Sequence, residues 1–150
     1  MSAPIPPETP ETPDGGLYTV ETANRLLPYV RDALRRATTC AAAMESAARG
    51  MRNMEAVGHT PTGELILAAD HAAARRELTA YQAELRRILR QLGRRQCLVK
   101  DLALGLCDFP AVIAGQRVLL CWQLDEPSVA HYHGEDEGYS GRRPIPPGTP

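Results

Sequence analysis

The chain has 150 residues, a length suited to one domain. Apolar residues make up 43% of it but aromatics only 5%, so aliphatic side chains and alanine must build the core. Basic and acidic residues number 17 and 18, a formal net charge of -1, which excludes a whole-molecule field that would draw in nucleic acid or anionic lipid.

The N-terminus reads MSAPIPPETPETPDGG and has neither a basic n-region nor an apolar h-region, so no secretory leader is expected. No run approaches the roughly 20 apolar residues that span a bilayer. The four cysteines, Cys40, Cys97, Cys107 and Cys121, form no CxxC pair. A cytoplasmic protein with reduced thiols is expected. Residues 1–16 and 144–150 are rich in proline and poor in apolar side chains, and are expected to be flexible tails. Residues 17–143 are expected to form a single α+β domain.

Thr19 suits an N-cap, and Glu21 in the first turn favours the helix dipole. Leu27, Val30, Leu34, Ala37, Cys40, Met44 and Ala48 then recur at three- and four-residue steps on one helical face. Pro28 lies inside that run and predicts a kink, or a separate first helix from Val20 to Leu27. Residues 50–60 read as a connection, with Gly50 and Gly58 as breakers. A second helix is expected from Thr60-Pro61, with Ile66, Ala69, Ala73, Leu78, Tyr81, Leu85, Ile88 and Leu92 on its apolar face and Gly93 at its end. The two stripes predict an antiparallel hairpin; a homodimer seam is the alternative.

After Arg95 the period changes to that of strands. Ala114-Gly115 can turn between Pro110–Ile113 and Gln116–Leu124, and Asp125–Pro127 can turn into Ser128–His133. The expected result is a three-stranded antiparallel meander packed on the helices. With the second turn at Asp125–Pro127, Cys121 faces His131 and Leu119 faces His133.

In that register Cys121, His131 and His133 share one face, because alternate strand residues point the same way. Two imidazoles and a thiolate at such spacing suit a divalent transition metal, zinc or iron. Asp108 and Glu126 are candidate further ligands or acid–base groups, and Glu126, Glu135 or Glu137 can orient His133 as a metal-independent general acid or base. The competing reading puts Cys121 in the core and the histidines on the surface, and Asp108 in an Asx-type turn before Phe109-Pro110. Trp122 and Phe109 read as core. Gly138-Tyr139-Ser140-Gly141-Arg142-Arg143 is either an exit loop or a loop whose arginine meets an anion. Cys40 and Cys97 read as small buried hydrophobes, and His59 and His71 as surface residues.

Tyr18-Thr19, Ala23-Asn24 and Leu27-Pro28, then Gly105-Leu106-Cys107-Asp108-Phe109-Pro110, then Leu120-Cys121-Trp122 with Glu126, then His133, Gly138 and Gly141-Arg142 together resemble a bacterial family of unknown function, DUF2203. The resemblance spans roughly residues 17–145. It implies a shared site at Asp108, Glu126, His133 and Arg142, with Cys121 and Trp122 beside them. The family pattern runs aromatic-Trp-His where this chain has His131-Tyr132-His133, and Gly where it has Asp125.

Taken together, the residues predict a small metal-binding protein, with an enzyme acting on a small organic molecule as an open reading. His131, His133, Glu126, Asp108 and Cys121 are the candidate ligands; His133, Glu126 and Asp108 the candidate catalytic groups; Arg142, Trp122 and Tyr139 the candidate substrate contacts. A non-catalytic helical interaction module is the alternative. No nucleic acid or membrane partner is expected.

Overall fold

The computed structural model describes residues 14–56 and 68–150. The expected starts of the second helix at Thr60-Pro61, most of the N-terminal tail, and His59 lie outside the described residues. Helix α1 runs Val20–Ala56 and α2 Ala68–Arg94. Five strands follow: β1 Leu98–Asp101, β2 Leu106–Ile113, β3 Gln116–Gln123, β4 His131–Gly134 and β5 Arg143–Pro144. They form one antiparallel sheet in the order β1-β2-β3-β4-β5. The architecture is α+β, but with five strands rather than the three expected. No helix among the described residues is long and apolar enough to cross a membrane.

Two expected helix breaks are corrected. α1 continues through Pro28 and through Gly50. Proline removes one i→i−4 bond, and an exposed helical glycine costs about 1 kcal/mol relative to alanine. Neither stops a helix whose apolar face is anchored at many other positions. Thr19 caps α1 as expected: its Oγ1 accepts from Thr22 N–H at 3.1 Å, and Thr22 Oγ1 accepts from Thr19 N–H at 2.8 Å. At the far end of α2, the left-handed residue is Gln96, φ 58°, rather than Gly93. Cys97 N–H donates to Leu92 O, which closes the helix.

The described residues divide into two compact units. One comprises the chain up to Leu34 together with Arg90–Pro150. Its core gathers Leu26, Leu27, Val30, Leu34 and Leu92 with Cys107, Phe109, Leu120 and Trp122 from one face of the sheet. Tyr18 meets Phe109 edge-on at 5.2 Å, and Arg31 lies over the Trp122 ring at 5.6 Å. Asn24 Oδ1 accepts from Val129 N–H at 2.7 Å, which ties the β3–β4 connection to α1. The other unit, Arg35–Leu89, buries Ala37, Cys40 and Ile88. There Arg36 lies near enough to Glu84 to help Arg87 hold its carboxyl below the ordinary range.

The hairpin between β2 and β3 turns at Ala114 and Gly115, both at positive φ. That is the two-residue turn whose twist matches the strands. Gly105 ends the β1–β2 turn at φ +68°, and a Cβ there would meet Leu124 Cβ at 2.6 Å. The position therefore excludes other residues twice over. The segment expected to be a C-terminal tail supplies Pro144 to β5, and Ile145 N–H donates to Ala130 O. β4 starts at His131 rather than Ser128, so the connection before it is longer than a tight turn.

Candidate metal centre

The sheet has a second face, opposite Phe109 and Trp122. Asp108 pairs with Cys121 across β2–β3, Cys121 with His131 and Leu119 with His133 across β3–β4. The last two pairs are the register expected from the sequence. Period-two alternation then sets Asp108, Cys121 and His133 on this face, the last one step diagonal from the cysteine. All three are 2% exposed. Asp108 sits in mid-strand, so it is not a turn residue.

Their donor atoms all lie within 4.8 Å of one another. His133 Nε2 is 3.1 Å from Asp108 Oδ2, and His133 Nδ1 is 2.8 Å from Gly134 O. A carbonyl only accepts, so Nδ1 carries the proton and donates it. In neutral imidazole this leaves a lone pair on Nε2, aimed at a carboxylate oxygen. Two acceptors at that distance need a proton or a cation between them. Burial pushes the Cys121 thiol up to about 12, with the Asp108 charge adding to it and Arg142 opposing. At neutral pH, without a cation, the thiol keeps its proton and is a poor nucleophile.

The group opens onto a cavity of about 180 Å³, whose lining includes Lys100, Leu106, Leu119 and Tyr139. Glu135 and Glu137 also line it. Each is paired: Glu135 with Arg117 at 3.0 Å, Glu137 with Arg143 at 3.1 Å. Glu137 packs so closely on Gly141 that a Cβ there would overlap its carboxylate.

The other predicted site residues form a second group. Glu126 Oε1 accepts from Gln123 N–H at 2.8 Å and from Arg142 Nη2 at 2.6 Å. Arg142 Nη2 also donates to Cys121 O at 3.3 Å, and its guanidinium lies 4.8 Å over the Tyr139 ring. His131 Nδ1 is 3.4 Å from Glu126 Oε2, without hydrogen-bond alignment. The structure thus brings Asp108, Cys121 and His133 together, and Glu126, His131 and Arg142 form an adjoining group that meets Cys121 through its backbone carbonyl and its pairing with His131. Arg142 is committed to Glu126. Trp122 is wholly buried on the opposite face, its Nε1–H donating to Glu126 O at 3.0 Å. Tyr139 does line the cavity.

Lys100 is the lining residue that sequence reasoning missed. The β1–β2 register shifts between Val99 and Asp101, so Lys100 falls in a bulge. A lysine beside an aspartate in a four-residue strand carries no signal of that kind.

No curated protein and no solved structure matches this chain. A family model described as "Uncharacterized conserved protein (DUF2203)" matches residues 16–145, and the chain belongs to that family.

Proposed function

We propose that the protein binds one divalent transition metal, zinc by preference, through Asp108, Cys121 and His133. The observation that carries this is the His133 ring: its Nδ1 is spent on a backbone carbonyl and its Nε2 faces a buried carboxylate beside a buried thiol. A carbonyl behind the ring is the common second partner of a metal-ligating histidine. The donor set also fits the ion. A tetrahedral zinc with bonds of about 2.0–2.3 Å spaces its donors about 3.3–3.7 Å apart, so donor separations would need to change by about 1–1.5 Å at most to close this set. A bound ion would draw off the thiol proton that burial otherwise retains.

Three protein ligands leave a position open towards the cavity, the arrangement of catalytic rather than purely structural zinc. The bound metal would supply Lewis acidity to an oxygen of a small organic ligand. Leu106 and Leu119 give the cavity apolar walls, and Tyr139 lines it as well.

Elemental analysis of untagged protein tests the reading. About one zinc per chain is expected, retained in His131→Ala and lost in His133→Ala and Cys121→Ala. Metal-free protein that does not compete with a chromophoric chelator for zinc would rule it out. That outcome would leave the 3.1 Å Asp108–His133 pair as a metal-independent acid–base dyad.

A second reading concerns the unit Arg35–Leu89, where Met44, Leu78, Tyr81 and Leu85 are only half-buried. We propose that this stripe docks a second copy of the chain. A dimer by light scattering, made monomeric and still folded by Leu85→Glu, is the expected result; a monomer at millimolar concentration removes the reading.

A further inference from the structure

Four charged side chains line the cavity: Lys100, Asp108, Glu135 and Glu137. Three are compensated. Asp108 is taken by the proposed ion, Glu135 is held by Arg117, and Glu137 by Arg143. Among the described residues, Lys100 has no ion-pair partner. Strand alternation explains its aim: Leu98 opposes Asp108, and Lys100, two residues on, falls on the same face and lines the cavity beside Leu106. Asp101 is occupied elsewhere, its Oδ1 accepting from Leu104 N–H at 2.9 Å. The cavity therefore presents one unbalanced positive charge at its rim and an apolar floor of Leu106 and Leu119.

Its volume, about 180 Å³, lies below the roughly 300–1,000 Å³ of sites for drug-sized ligands. A ligand of few heavy atoms fits it. Arg142, the cation expected from the sequence to meet an anion, is neutralised by Glu126. The geometry points to Lys100 as the residue that receives the anionic group of the ligand, and to a short-chain monocarboxylate as the ligand class. This deepens the metal-site reading and rests on it for what lies at the other end of the cavity. A single lysine matches one carboxylate. Phosphate, with a charge near −2 and more acceptor oxygens, needs more donors than this rim supplies.

The Leu106 and Leu119 methyl resonances of the zinc-loaded full chain report the cavity floor. Titration with propionate is expected to shift them saturably. Lys100→Gln should raise the Kd at least about tenfold, and Lys100→Arg should stay within about threefold of the native value. Lys100 is exposed, so neither variant threatens the fold. An unchanged Kd in Lys100→Gln, no saturable shift at all, or tighter binding of inorganic phosphate than of propionate would overturn the assignment. Lysine-dependent propionate binding by a chain that takes up no zinc would keep Lys100 as the anion receptor and discard the metal.

Discussion

Two polar groups occupy the same end of one sheet and differ in how their charges are satisfied. Around Glu126 donors meet acceptors: the Gln123 amide and Arg142 Nη2 converge on one carboxylate oxygen and the Trp122 indole takes the backbone carbonyl, while Arg142 Nε and His131 Nδ1 are buried without a hydrogen-bond partner. Around Asp108 the reverse holds. An aspartate, a thiol and an imidazole converge with 2% exposure each, and the carboxylate and the ring need a proton or a cation between them. A carboxylate that gathers the Gln123 amide and Arg142 holds the β3–β4 connection in place. On the proposed reading, a carboxylate, a thiol and an imidazole gathered beside a cavity hold a cation. The contrast teaches that an HxH sequence is no pair of ligands by itself: His131 and His133 are two residues apart on one strand, yet their rings serve different groups.

The largest test of this contrast is Asp108→Ala in metal-free protein. It leaves His133 buried without its partner, and removing one member of a buried charged pair costs about 3–5 kcal/mol. Urea denaturation should show a loss of that size, and Asp108→Leu combined with His133→Leu should recover much of it. A loss below about 1 kcal/mol for the single variant would mean that water reaches the site. Glu126→Ala comes next. It orphans the Gln123 amide and the largely buried Arg142 guanidinium, hydrogen bonds to charge worth about 1.5–3 kcal/mol. Stability should fall by about 2–3 kcal/mol while zinc stoichiometry holds. Loss of zinc at unchanged stability would merge the two groups into one site.

The parts of this arrangement legible in the sequence were those set by local rules. Ala114-Gly115 and strict alternation determined the β2–β3 hairpin, and the turn before β4 gave the pairing of Cys121 with His131 and Leu119 with His133. β1 escaped notice because it has four residues and a bulge, and β5 because it lies in a proline-rich stretch where Pro144 can pair only at an edge. Pro28 and Gly50 misled because local helix breakers are weak against a long apolar face. At the site, strand register is periodic and so readable, but ring orientation is not. His131 lies 3.4 Å from Glu126, which arrives from the preceding loop, and Arg142 is bound by the same carboxylate from 16 residues beyond it. Such long-range pairings leave no periodic trace. The family pattern named Asp108, Glu126, His133 and Arg142 together; in the structure Asp108 contacts His133, and Glu126 contacts Arg142.

A smaller effect comes with pH. Burial pushes the Tyr18 hydroxyl up to about 12, as it does the Cys121 thiol; the nearby Cys97 adds to the Tyr18 shift and Arg95 opposes it. Both groups keep their protons in the folded chain at pH values where the unfolded chain has lost them, near 9 for cysteine and 10 for tyrosine. The folded state then binds more protons, so stability falls as pH rises. The contribution is complete below about pH 8.5 and is lost progressively towards 12. Chemical denaturation of metal-free protein from pH 7 to 11 should show a plateau and then a decline, and Tyr18→Phe should flatten the part above pH 10. Constant stability to pH 11 would show that neither group is shielded.

The smallest expected effect bears most directly on the division between the two groups. His131→Gln keeps a polar side chain beside Glu126. The native contact is 3.4 Å long, unaligned and partly exposed, with 32% of the His131 side chain and 22% of the Glu126 side chain accessible. Partly exposed ion pairs contribute about 0–1 kcal/mol, and this one lies at the low end because Arg142 already holds the carboxylate. Urea midpoints should move by less than about 0.5 kcal/mol, and zinc uptake and propionate affinity should match the native chain. Should His131→Gln instead abolish zinc binding while His133→Gln spares it, the two rings would have exchanged roles: the ligand would be the histidine beside Glu126, and the buried Asp108–His133 contact would be a structural pair.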